Sequence, residues 1–246
     1  MKLLKKIGLL LFVAGSAIGC TDGFEETNSD PNKLYEVNLP QIFPGTVYRT
    51  MQTISELNYN RMMSYSRYVT IVAYQGAWSD KGDGNYRKLY VEILRDWNAM
   101  EKKYAEDPAK PNSHAIVKTW KAFVYYQMLP LWGPVGLSDT GGLNEDISKR
   151  VYRYDSEESA YMAILDMLDV AVDLFDPSSS DKLSKDPVYT GGAIGKWRKV
   201  ANTLRLAIAM NIQNINLETA REHVAQSMAH EDWIFSSEDY DLAPQY

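Results

Sequence analysis

From Leu39 onward, apolar residues recur at three- and four-residue spacings, and no stretch alternates apolar with polar positions long enough to mark a sheet strand. The pattern predicts an all-α chain. A first helix is expected from about Pro44 to Val72, with Met51, Ile54, Leu57, Met62 and Tyr65 among its buried residues and a break near Asn58 to Asn60. The glycine-rich segment from Tyr74 to Gly84 interrupts the periodicity and reads as a loop carrying Tyr74, Gln75, Trp78, Asp80 and Asp83.

A helical hairpin follows, with arms from Tyr86 to Tyr104 and from Ser113 to Leu129 joined by Asp107-Pro108-Ala109-Lys110-Pro111-Asn112. In the second arm Ile116, Trp120, Phe123, Val124 and Gln127 fall on neighbouring turns, so a stripe should face the first arm in antiparallel packing. Leu131-Trp132-Gly133-Pro134 ends that hairpin, and a loop rich in Gly, Asp and Asn runs on to about Arg153. A second hairpin is expected to open at Asp155 as the cap, with Glu158 completing a capping box. Its inner face is Ala160, Ile164, Leu165, Leu168, Val172 and Phe175, and Asp176-Pro177-Ser178 stops it. After a loop with Tyr189, the partner helix is marked by Trp197, Val200, Ala201, Leu204, Ala207 and Ile208, and Asn216 caps a last helix from Leu217 to about Met228. Such successive hairpins suggest tetratricopeptide-like repeats joined by long irregular loops, each pair covering its neighbour's apolar face.

The start of the chain differs in kind. A cationic stub to Lys6, an apolar run from Ile7 to Ala14 and the small residues Gly15 to Gly19 lead into Cys20, which is the order of a secretory signal. The uncharged run from Ile7 to Gly19 falls short of the roughly 20 residues that a membrane-crossing helix needs. Residues 1–19 are therefore expected to direct export and be removed. Cys20 is the chain's one cysteine, so it cannot pair internally, and Ala17-Ile18-Gly19-Cys20 resembles a bacterial lipobox, with Ala17 where leucine is more usual. Two acyl chains on Cys20 would suffice for stable anchoring; the alternative is an ordinary secreted protein with a stray cysteine. Residues 20–38 are polar, acidic and turn-rich, and read as a flexible tether ahead of a folded body over 39–246.

Charge narrows the partners. The net charge of −6 deepens to −9 once Lys2, Lys5 and Lys6 leave with the signal, which argues against nucleic acid. Seventeen Tyr and six Trp mostly serve packing, but flat rings also stack on sugars.

Catalytic chemistry finds little support. Gly191-Gly192-Ala193-Ile194-Gly195-Lys196 fails the phosphate-loop pattern at Thr190 and Trp197. His223 and His230 lie two helical turns apart without a third ligand of suitable spacing, so they read as solvated helix histidines and no metal or cofactor is expected. No serine nucleophile elbow is present, and the pairs Glu25-Glu26, Glu157-Glu158 and Asp166 with Asp169 read as solvated surface acids.

Several segments in order resemble one family. They are Cys20 with Asp22, Phe24-Glu25-Glu26, Asn28 and Asp30-Pro31-Asn32; His114 to Gly133; Tyr154-Asp155-Ser156-Glu157-Glu158 with Ala160-Tyr161; and, most strongly, Lys196 to Met210. Together they resemble the SusD/RagB-like outer-membrane lipoproteins, in particular the second SusD-like branch. The resemblance implies a helical fold of tetratricopeptide-like pairs, and the want of catalytic motifs leads to the expectation that the chain is no enzyme. It also implies outer-membrane placement facing the exterior, and capture of glycans or other nutrients for a SusC-like TonB-dependent transporter. Family members run to roughly twice this length, so the chain reads as the truncated N-terminal half. The ligand site is expected at the loop, with Tyr74 and Trp78 as stacking faces and Gln75, Asp80 and Asp83 as hydroxyl partners; alternatively Trp78 plugs the core. Rival functions are a structural or docking protein, a remnant without ligand binding, and a glycan-processing enzyme.

Overall fold

A computed structural model of the chain describes residues 39–58, 62, 63, 66, 68, 82–138, 153–189, 193–230 and 233–236, all within the compact unit Leu39–Tyr246. The expected signal, Cys20 and the expected tether lie outside the described residues. Among the described residues there is no strand, only an isolated bridge between Val135 and Asp155. No helix among them is long and apolar enough to cross a membrane.

Helix α1 spans Leu39–Leu57 and buries Phe43, Val47, Thr50, Ile54 and Leu57, a face repeating every three or four residues. It begins five residues before the expected start and carries Pro44 inside it. Met51, expected inside, is 46% exposed, because the core-facing side runs through Thr50 and Thr53 instead. Met62 is half-buried, and Tyr65 lies outside the described residues.

Helix α2 (Gly82–Lys88) runs into a π-helical segment, Leu89–Leu94, and then α3, Arg95–Ala105. The glycine-rich segment therefore gives way to helix at Gly82, not at Tyr86. The wider π turn aims Leu89, Ile93 and Leu94 inward ahead of Trp97, Met100 and Tyr104 on α3.

Helix α4, Pro111–Trp132, is the centre of the body. Proline at its first position costs no hydrogen bond there. Its N-terminus is capped from afar: Asp181 Oδ2 accepts from the Ser113 amide at 2.7 Å and Oδ1 from the Ser113 hydroxyl at 2.7 Å. Asn112 ties the same loop down, donating to the Asp176 carbonyl at 2.8 Å and accepting from the Asp176 amide at 2.8 Å. The expected stripe proved too narrow. Ala115, Val117, Thr119, Ala122, Tyr125, Met128 and Leu129 are buried as well, so α4 is covered nearly all round, while Phe123 and Gln127 are only half-buried.

Antiparallel packing of α3 on α4 is borne out by Trp97 stacked on Trp120 and by Glu101 held at 2.7 Å by both Lys118 and Lys121. Burial alone would raise the Glu101 carboxyl, but the two ammonium groups outweigh it and hold it below its usual range.

Helix α5, Glu157–Leu174, buries the expected Ala160, Ile164, Leu165, Leu168 and Val172, with Phe175 beyond its end. Its cap is Ser156, whose side chain accepts from the Ser159 amide, not Asp155. Asp155 instead accepts from the Leu137 and Ser138 amides at 2.7 and 2.9 Å and from the Ser138 hydroxyl at 2.6 Å, pinning the chain that leaves α4.

Helix α6, Ile194–Asn211, passes through a 3-10 turn, Ile212–Asn214, into α7, Leu217–Met228. Asn216 caps α7 as expected, accepting from the Thr219 amide at 3.1 Å. The inner face of α6 is only partly as read. Trp197, Ala201 and Ile208 are buried, but Val200 and Leu204 are half-buried and Ala207 is exposed, while Asn202 and Arg205 lie inside.

Arg205 explains that reversal. It donates to Asp169 Oδ1 on α5 at 2.7 Å, to Asn202 Oδ1 at 2.7 Å and to Ser227 Oγ on α7 at 3.0 Å, so a polar network fastens three helices. His223 is buried, not solvated, with Nδ1 3.4 Å from Asp169 Oδ2, and Asp169 is accordingly not a free surface acid.

Candidate functional site

Of the expected ligand-binding residues, Tyr74, Gln75, Trp78 and Asp80 lie outside the described residues. Asp83 falls on the backbone of α2, with its side chain likewise outside.

The described residues do form a cavity on the opposite kind of surface: an apolar cleft of about 420 Å³ along α6. It is what the displaced face of α6 becomes, since Val200, Leu204 and Ala207 form one wall. Trp120 and Phe123 on α4 supply the floor with Trp197 and Tyr189, and Met51 and Phe235 close the rim.

Its aromatic wall is the end of a row that crosses the body. Phe43 meets Trp97 edge-on at 5.6 Å, and Trp97 stacks on Trp120 at 5.6 Å and 6°. Trp120 touches Trp197 at 5.9 Å, and Tyr189 stands perpendicular to Trp197 at 5.3 Å. Edge-to-face and offset contacts of this kind suit ring quadrupoles.

Asp186, itself buried, fixes the far end of the row. Its Oδ2 accepts from Trp197 Nε1 at 2.5 Å and its Oδ1 from the Val188 amide at 2.9 Å. Burial pushes the Asp186 carboxyl up, and the hydrogen bonds from Trp197, Val188 and Tyr189 only partly offset that. Outside the cleft lining, Trp233 carries the Arg198 guanidinium 3.9 Å from its centroid and the exposed His230 ring stacked at 3.8 Å. The next residues reach the cleft, where the Phe235 amide donates to Thr203 Oγ1 at 2.8 Å.

Chemically the cleft offers stacking and dispersion with few polar groups. Thr203 is engaged by Phe235, and Thr119 donates to the Ala115 carbonyl. It can receive an apolar body, but it has little with which to read a polyhydroxyl ring. Among the described residues no group of three His, Cys, Asp or Glu is placed to hold a metal ion.

Comparison with known families decides the relationship. A family model described as SusD-like, starch-binding and associating with outer membrane matches residues 31–246. The chain belongs to this SusD-like family. Thirty-one solved chains match it as well. One is a chitin-binding protein, 26% identical with a TM-score of 0.55, over 63% of this chain and 32% of that one. A SusD homologue from Parabacteroides distasonis is 18% identical with a TM-score of 0.62, covering 82% of this chain and 40% of that one. A SusD/RagB family protein from Bacteroides thetaiotaomicron is 16% identical with a TM-score of 0.65, covering 83% and 44%. At such identities the last two establish the all-helical SusD-like fold and no more. This SusD-like chain thus spans less than half the length of each of these relatives. No curated protein is significantly similar to it.

Proposed function

We propose that this SusD-like chain belongs to a cell-surface lipoprotein that captures glycans and delivers them to a SusC-like TonB-dependent transporter in the outer membrane. The single observation that carries the reading is the family match over residues 31–246, which takes in the whole described body. The chitin-binding relative supports a carbohydrate ligand in particular. Acylation of Cys20 after removal of residues 1–19 anchors the protein, and residues 20–38 give the body reach from the membrane. The role is capture without catalysis, consistent with a family described by binding.

The ligand is assigned to the segment from Tyr74 to Asp83. Trp78 and Tyr74 stack on sugar rings, while Gln75, Asp80 and Asp83 exchange hydrogen bonds with ring hydroxyls. Titration of a polysaccharide panel against Trp78→Ala tests this assignment. Binding should fall by about tenfold or more, an aromatic stacking loss of about 1.4 kcal/mol, with the melting temperature unchanged. Full binding together with a lowered melting temperature would instead make Trp78 a core residue.

A further inference from the structure

Where α4 ends and α5 begins, the fold gathers aromatic rings and one carboxylate that the cleft and the Tyr74 to Asp83 segment do not use. Tyr86 and Tyr90 lie on consecutive turns with ring centroids 5.1 Å apart, and Trp132 meets Tyr86 edge-on at 5.4 Å. All three rings are half-buried. Tyr154 comes from the far side of the loop, next to Asp155, whose amide donates to the Val135 carbonyl at 2.8 Å, and its ring is 64% exposed.

Gly133 brings the carboxylate in. Its φ of 72° lets α4 turn away directly after Trp132, and a Cβ at this position would stand 2.8 Å from Glu157 Oε1. The exposed Glu157 carboxylate therefore rests against the turn, beside the residues that carry Trp132 and Tyr154. The rings of Tyr86, Tyr90 and Trp132 pack on one another, and the acid stands at the turn beside them.

We propose that Tyr86, Trp132, Tyr154 and Glu157 form a carbohydrate subsite, in which Tyr154 and Trp132 stack on the apolar face of a pyranose and Glu157 accepts from its hydroxyls. The inference rests on the glycan-capture reading above and gives it a second contact point. The chemistry selects the ligand class. An apolar ligand would strip water from Glu157 without replacing its hydrogen bonds, and an anion would be repelled by it. A sugar ring offers a C–H face and hydroxyl donors together, which is the pairing these residues present. Burial, with Tyr154 nearby, pushes the Tyr86 phenol up from its usual range, so it stays neutral.

Calorimetric titration of the full chain in detergent with hexaoses of α-glucan, β-glucan, chitin, xylan and mannan tests the subsite. Tyr154→Ala and Glu157→Gln should each weaken the best oligosaccharide by about tenfold, while Tyr154→Phe retains most of the affinity. Their melting temperatures should stay near that of the parent, since both side chains are exposed. Binding unchanged in both variants overturns the subsite while leaving glycan capture standing. A parent chain that binds none of the five overturns the subsite and the reading beneath it.

Discussion

Trp97→Ala is expected to destabilise the chain by about 4 kcal/mol, the usual cost of emptying a large aromatic site in a packed core, and to lower the melting temperature by about 10 °C. Trp97 has no exposed surface, stacks on Trp120 and meets Phe43, and donates from Nε1 to the Thr50 hydroxyl at 3.2 Å. It is the joint between α1, α3 and α4, so the cavity has three helices to span. Trp97→Phe separates packing from polarity: it keeps most of the ring contact, removes one hydrogen bond to the Thr50 hydroxyl, which still donates to the Thr46 carbonyl at 2.7 Å, and should cost about 1 kcal/mol. Chemical denaturation measures both. A loss below about 1 kcal/mol for the alanine variant would mean that this aromatic row does not join the helices as described.

Arg205→Met should cost about 3 kcal/mol, for a different reason. The substitution keeps most of the side-chain volume but removes the donor for Asp169, Asn202 and Ser227, and breaking one side of a buried charge pair leaves the other uncompensated. Asn202 and Ser227 are fully buried, so water cannot take over; Asp169, at 30% side-chain exposure, is partly rehydrated, which keeps the figure at the low end. Asp169→Asn made in the Arg205→Met background should cost less than in the parent, with a coupling of about 1 kcal/mol in a double-mutant cycle. Full additivity would show that the pair does not hold α5 to α6.

The elements legible in the sequence are those whose information is local. The face of α5 was readable because Ala160 through Val172 repeat at helical spacing on a helix that is buried on one side only. The Asn216 cap was readable because the cap and the Thr219 amide that donates to it lie three residues apart. Where burial goes all round, as on α4, periodicity has no contrast to offer, and the stripe through Ile116 and Trp120 understated the core. Long-range polar partners left no trace: Asp181 caps a helix whose Ser113 lies 68 residues earlier. The same reason hid Arg205, which looks like a surface cation until Asp169 and Ser227 arrive from other helices.

The candidate sites divide in the same way. Tyr74 to Asp83 drew notice as a compact run of ring, amide and acid residues, a local signal for a surface loop. Tyr86, Trp132, Tyr154 and Glu157 are scattered over the chain, and only the turn at Gly133 and the packing of α2 against the end of α4 bring them into one place. The apolar cleft had a sequence trace that pointed the wrong way, since Val200, Leu204 and Ala207 read as core and instead line an open wall.

The central claim, capture of glycans on behalf of an outer-membrane transporter, is tested most directly by co-purification. Outer membranes of cells expressing the tagged chain are solubilised in detergent, the chain is recovered through its C-terminal tag, and the proteins that accompany it are identified and quantified by mass spectrometry. The account predicts a TonB-dependent barrel in near-equal amount. Recovery of the lipidated, exported chain with no barrel would contradict it.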